Sequence, residues 1–124
     1  MRVMLIDDSK TMRNIQRSVL NQLGEHEYEE ASDGNDALSK IAAFAPDLIL
    51  VEWNMKEMDG LTFVKRLRQT NKTTPVIMVT TETERSRVVE AIKAGVNNFV
   101  VKPFTPDLLS QRIDETLSKH APPR

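Results

Sequence analysis

Three carboxylates, one hydroxyl and one ammonium stand directly after four short aliphatic runs. Asp7-Asp8 follows Val3-Met4-Leu5-Ile6, and Glu52 follows Leu48-Ile49-Leu50-Val51. Thr80 follows Val76-Ile77-Met78-Val79, and Lys102 follows Phe99-Val100-Val101. Carboxylates are the hard oxygen donors that divalent cations take, whereas a hydroxyl and an ammonium donate hydrogen bonds to an anion. Gathered in space, the five groups would form one polar site. In the chain they lie up to about ninety positions apart, so the fold must bring them together.

Unbroken aliphatic runs of this length suit strands buried on both faces of a parallel sheet. Parallel strands bring their carboxyl ends to one edge, where open α/β sheets hold their ligand crevices. Amphipathic, helix-length segments separate the runs. Met12, Ile15, Val19 and Leu23 recur at helical spacing between Thr11 and Leu23, with Gly24 as the stop. Ala37, Leu38, Ile41 and Ala42 precede the breaker Pro46, and Leu61, Val64 and Leu67 run into the polar stretch Gln69-Thr70-Asn71-Lys72. Val88, Val89 and Ile92 predict a fourth helix ending at Gly95. Thr105-Pro106-Asp107 supplies a cap, a first-turn proline and an acid that complements the helix dipole of a fifth helix. Tyr28-Glu29-Glu30-Ala31 reads as a weak second strand at a sheet edge. Five β-α units in alternation predict an α/β fold, a doubly wound parallel sheet covered by helices on both sides.

The chain has 124 residues, 17 basic and 18 acidic, with a net charge of -1. One domain over residues 1–120 and a short tail over 121–124 are expected. So small a net charge gives no field that draws the protein to nucleic acid, and any charge that matters is local. There is no cysteine, so no disulfide frame or thiolate metal site exists. The N-terminus runs into a strand rather than a signal peptide, and no apolar stretch approaches the roughly 18 residues that would span a bilayer. A cytoplasmic protein without membrane or direct nucleic-acid partners is the expectation.

Asp7-Asp8-Ser9, Glu52-Trp53-Asn54-Met55 with Met58-Asp59-Gly60, Val79-Thr80-Thr81 and Val101-Lys102-Pro103-Phe104 together resemble a response-regulator receiver domain of the CheY type. The resemblance runs along essentially the whole chain, in order. It implies a flavodoxin-like (βα)5 sheet of strand order 2-1-3-4-5. It also implies a two-component phosphorelay role with a histidine kinase upstream and, downstream, a flagellar motor switch protein or an output domain. Mg2+ would be the cofactor, held by Asp8, by Asp7 through water, by the acceptor carboxylate Glu52 and by the Asn54 backbone carbonyl. Lys102 and Thr80 would contact phosphoryl oxygens, Thr80 and Phe99 would act as switch residues, and the Lys102-Pro103 bond would be cis. Such a domain catalyses only its own phosphorylation and dephosphorylation.

The sequence departs from that pattern at the acceptor itself, where receivers carry aspartate and this chain carries Glu52. One extra methylene moves the carboxylate by ~1.5 Å, and a misplacement of roughly 1 Å costs on the order of a hundredfold where geometry is preorganised. Glu52 is therefore expected to be phosphorylated slowly or not at all. Its carboxylate lies part-way toward the place of a phosphoryl group and is expected to mimic activation in part, with one negative charge instead of up to about two. Lys56 stands where receivers usually have proline, and Thr81 is bulkier than the usual alanine or glycine. Two departures within five residues belong to a divergent receiver or an engineered one.

Other readings compete. A phosphorylation-independent binding module fits Glu52 and Lys56. An Mg2+-dependent phosphatase needs Asp-x-Asp after the first strand, and Asp-Asp-Ser stands there. A flavin carrier needs a phosphate loop after Ile6, and none follows. Taken singly, Asp7-Asp8 is a helix cap, Thr80 a turn residue and Lys102 a surface lysine; their joint placement favours the site. Trp53 packs on the loop, the methionines fill the core, and His26 and His120 lie away from the acidic edge. Glu82, Glu84, Arg85 and Arg87 form a solvated helix face, which with Val89 and the fifth strand is the usual partner surface of receivers.

Overall fold

The aliphatic runs of the first, third and fourth strands are buried, Val3, Met4, Leu5 and all of Leu48–Val51 being 0 % exposed, whereas the run ending in Val101, itself 38 % exposed, is only partly covered; alternate side chains enter two different helical layers. The computed structural model describes residues 1–120, and the tail expected over 121–124 lies outside the described residues. The elements are β1 (Arg2–Ile6), α1 (Lys10–Leu23), β2 (Glu27–Ala31), α2 (Gly34–Phe44), β3 (Leu48–Val51), α3 (Gly60–Thr70), β4 (Val76–Thr80), α4 (Arg85–Ala94), β5 (Asn98–Val101) and α5 (Pro106–His120). All strands pair in parallel in the order β2-β1-β3-β4-β5. Met4, Ile49 and Met78 pack with Ala37, Phe63 and Ala91 from α2, α3 and α4. Leu5, Leu50 and Ile77 pack with Leu20, Leu109 and Ile113 from α1 and α5. The register pairs Ile6 with Val51, Val51 with Met78 and Thr80 with Val101, so the residues following β1, β3 and β5 emerge on one rim.

Local chemistry sets the helix starts. Side-chain oxygens of Ser9, Asp33, Asp59 and Thr105 accept hydrogen bonds from the backbone N–H groups of Met12, Asp36, Thr62 and Leu108 at 3.1, 2.8, 2.8 and 3.1 Å. The α4 N-cap, Glu84, makes no such bond. β2 lies at one sheet edge as the sequence predicts and is acidic, so cations from its neighbours hold it. Arg13 and Arg17 meet Glu30 at 2.8 and 3.2 Å, and Arg2 meets Glu27. Exposed pairs of this kind contribute up to about 1 kcal/mol each.

Two helix faces differ from the expected stripes. In α1 the buried residues are Gln16, Val19 and Leu20, while Ile15 and Leu23 are 41 % and 42 % exposed. A glutamine occupies a core-facing slot, so a stripe traced through apolar residues alone comes out rotated. In α4 only Ala91 is fully buried, and Val89 and Ile92 are 45 % and 48 % exposed. Ala42, placed on the α2 stripe by its spacing, is exposed as well.

Candidate functional site

Asp7 leaves the end of β1 with its N–H donated to the Ala31 carbonyl at 3.0 Å, and its side chain is 1 % exposed. Glu52 leaves β3 with its N–H donated to the Ile6 carbonyl at 2.9 Å and is 6 % exposed. Lys102 leaves β5 with its N–H donated to the Thr80 carbonyl at 2.8 Å, and the Lys102–Pro103 bond is cis. These three converge. The Lys102 ammonium donates to Asp7 Oδ2 at 2.8 Å and to Glu52 Oε1 at 2.7 Å.

The remaining carboxylate oxygens are held by backbone. Asp7 Oδ1 accepts from Ser9 N–H at 2.9 Å, and Glu52 Oε2 accepts from the N–H groups of Trp53 and Asn54 at 2.6 and 3.2 Å. Charge-assisted bonds of this kind are short and strong. The loop that presents those amides is seated by Gly60, whose N–H donates to the Trp53 carbonyl at 2.8 Å. A Cβ at Gly60 would overlap the Glu52 carbonyl oxygen, so only glycine lets α3 begin this close to the end of β3. Further along the loop, Glu57 adopts a left-handed conformation with φ of 63°, an uncommon state for a side-chain-bearing residue.

Two buried carboxylates and one ammonium leave the pocket one negative charge in excess. Burial pushes Asp7 above the usual carboxylate range, against the hydrogen bonds from Lys102 and Ser9, and the charge of Glu52 adds to the rise. Burial alone would lower Lys102. Its hydrogen bonds and charge attraction to Asp7 and Glu52 outweigh that and hold it above the usual lysine value.

The side chains of the other candidates make no hydrogen bond to this triad among the described residues. Asp8 is exposed and, among the described residues, has no hydrogen-bonding or ionic partner. Thr80 is fully buried, and its Oγ1 accepts from Glu82 N–H at 3.3 Å, within the turn that leads to α4. Phe99 is half-buried and packs on the core layer formed with α2, α3 and α4. Asn54 is exposed and serves the triad through its amide. His26 lies beside the Met1 amine at 3.2 Å, in a hollow with Arg2 and Asp47, and His120 ends α5.

Sequence reasoning missed three participants: the Trp53 amide, Arg13, whose guanidinium donates to the Asp7 carbonyl at 2.5 Å, and Arg87, whose guanidinium lies 5.3 Å from the Trp53 ring centroid. Backbone donors leave no mark on a sequence. The two arginines occupy helical positions that read equally well as solvent-facing.

The chain matches the response regulator receiver domain family over residues 3–114. It is a receiver domain. The chemotaxis protein CheY1 of Helicobacter pylori strain J99 is 44 % identical over 120 residues, covering 94 % of this chain and 97 % of that protein. A chemotaxis protein CheY homolog of Campylobacter jejuni is 42 % identical, covering 94 % and 92 %. Among solved structures, Vibrio cholerae CheY4 superposes with a TM-score of 0.86 at 36 % identity, covering 94 % of this chain and 98 % of that one. Receivers are signalling domains of two-component systems rather than classical enzymes, and the family typically binds Mg2+.

The donors at this rim suit that ion in kind. Asp8, next in the chain to Asp7, offers an exposed carboxylate with no competing partner among the described residues, and Mg2+ needs only one or two carboxylates because it keeps several waters. Glu52 and Asp7 differ from Asp8, since both oxygens of each already accept hydrogen bonds. Among the described residues no three acidic or histidine side chains are gathered to hold a metal.

Proposed function

We propose that this receiver is a chemotaxis-type signalling switch whose acceptor position is closed to phosphorylation and partly imitates the phosphorylated state. The observation that carries the reading is the Lys102–Glu52 contact of 2.7 Å, with the second Glu52 oxygen bonded to two amides. A nucleophile must present a free lone pair to the phosphorus in line, and this carboxylate is longer than aspartate and already accepts three hydrogen bonds, which leave one lone-pair site open on Oε1. The imitation reaches one arm of the pocket only. Glu52 satisfies Lys102, whereas the Thr80 hydroxyl, which accepts from the Glu82 amide, makes no hydrogen bond to Glu52 among the described residues.

Mg2+, when bound, would be held by Asp8, by Asp7 through water and by the Asn54 carbonyl, and would neutralise charge on phosphoryl oxygens. Glu52 would join that set through Oε1, the oxygen that also holds Lys102. The partners we infer are a histidine kinase upstream and, downstream, a protein target such as a flagellar motor switch protein or an output domain. The names of the chemotaxis relatives support the motor target. A cytoplasmic setting agrees with the observation that no described helix is long and apolar enough to cross a membrane.

The engaged pocket also favours a second reading, a protein-binding module that works without phosphorylation. One experiment separates them. Incubation with a small phosphodonor and Mg2+, followed by mass measurement, should show no acyl phosphate on this chain, whereas Glu52→Asp should label. Rapid stoichiometric labelling at Glu52 would overturn the closed acceptor. A Glu52→Asp variant that folds but stays unlabelled favours the phosphorylation-independent module.

A further inference from the structure

We propose that Arg87 is a positioning residue for the Glu52 pocket, acting from the first turn of α4 through the Trp53 indole. The contacts form a chain. Glu52 Oε2 accepts the Trp53 N–H at 2.6 Å, the Trp53 side chain is buried to 3 % exposure, and the Arg87 guanidinium lies 5.3 Å from its ring centroid. A guanidinium at that distance is attracted by the negative face of the ring. Arg87 therefore presses on the residue whose amide fixes the acceptor carboxylate, and tilting the indole moves that amide.

The role matters because the start of α4 is tied down mainly by its own turn, where Glu82 Oε1 accepts the Glu84 N–H at 3.2 Å. Its N-cap Glu84 makes no side-chain capping bond, its first turn contains no acid, and Arg85 and Arg87 place cations at the positive end of the helix dipole. Ala91 is the only residue of α4 that is fully buried. The far end is fixed instead. Arg68 donates to the Gly95 carbonyl from Nη2 at 2.9 Å and from Nε at 3.2 Å, and to Asn97 Oδ1 at 3.1 Å. The end of α4 is thus held by side-chain bonds that its N-cap lacks, and Arg87 is a side chain of the first turn that reaches the pocket loop. The link runs both ways, since a change at Glu52 that shifts the Trp53 amide alters the seat of Arg87. This role is independent of whether Glu52 accepts a phosphoryl group.

Trp53 is the single tryptophan, so the emission comes from this ring and responds to changes around it, the Arg87 contact among them. Amide exchange at Trp53 and Asn54, followed by NMR, reads the pocket. In Arg87→Met the emission should shift and exchange at both amides should rise by about two- to fivefold, the factor that a partly exposed cation–π contact is worth. Arg87→Lys should restore part of both changes. Lys93→Met, which removes a cation at the far end of the same helix, should alter neither. Unchanged emission in Arg87→Met would show that the contact is not made. Shifted emission with unchanged exchange at Trp53 and Asn54 would show that Arg87 is a bystander. Either result overturns the proposal.

Discussion

Replacing Lys102 with methionine keeps most of the length of the side chain and removes, among the described residues, the only cation on the carboxylates of Asp7 and Glu52, whose side chains are 1 % and 7 % exposed. Removing one partner of a buried pair costs roughly 3–5 kcal/mol, because the charge left behind is uncompensated. Here three backbone N–H groups remain on the two carboxylates, and Lys102 itself is 11 % exposed, so water replaces part of the loss. We expect about 2–3 kcal/mol near neutral pH, or roughly 8–12 °C in Tm for a domain of this size.

The pH dependence separates this cause from lost packing. Asp7 is raised in the folded state, so it lowers stability as pH climbs from the unfolded carboxylate range through its folded value. Without Lys102 that penalty grows, and protonation relieves it. The deficit of Lys102→Met should therefore shrink on acidification through the carboxylate range. The parent behaves differently at the alkaline end. Lys102, raised when folded, contributes stability that is complete below its unfolded pKa and is lost as pH rises through the folded one, a loss absent from the variant. Urea melts at several pH values measure both limbs. A Lys102→Met protein that loses the same stability at pH 4 as at pH 7 would refute the electrostatic account.

Three further outcomes follow from the same geometry. Mg2+ should raise the Tm of Lys102→Met more than that of the parent, since removing the ammonium frees Glu52 and Asp7 oxygens for the ion; thermal melts with and without the metal test this. Gln16 is 2 % exposed, and its Oε1 has no hydrogen-bond partner among the described residues. Gln16→Leu should then stabilise the fold by about 1 kcal/mol, seen as a higher urea midpoint with an unchanged slope. Gly60→Ala should destabilise by about 2 kcal/mol or more, because its methyl group meets the Glu52 carbonyl, and it should also weaken the amide clamp on Glu52.

The sequence carried most of the scaffold because the signals that define it are short-range. Aliphatic runs such as Leu48–Val51 and caps such as Thr105 act within a few residues, and parallel pairing then carries each following residue to one rim. Strand order rested on resemblance and agrees with the structure. What stayed hidden depends on three-dimensional neighbours. The Gln16 slot rotates the apparent face of α1, and the exposure of Val89 and Ile92 reflects how little of α4 meets the core. The convergence of Asp7, Glu52 and Lys102 followed from strand ends, whereas the separate bonding of Thr80 and the outward placement of Asp8 are set by turn geometry.

The partial character of Glu52 can be bounded from its contacts. Moving a two-state switch from 1:99 to 99:1 takes a differential of about 5.5 kcal/mol. A hydrogen bond to a charged group contributes about 1.5–3 kcal/mol, and Glu52 makes one such bond to a lysine that Asp7 already engages at 2.8 Å. Only the difference between the two states counts, so the shift that Glu52 supplies is smaller than that bond. The Thr80 arm contributes nothing, because among the described residues its hydroxyl makes no hydrogen bond to Glu52. A receiver biased this way should populate its active state measurably and incompletely. Releasing Lys102 with Glu52→Gln should lower that population, and a Glu52→Asp variant carrying a phosphoryl group, with up to about two charges and three acceptor oxygens, should exceed it.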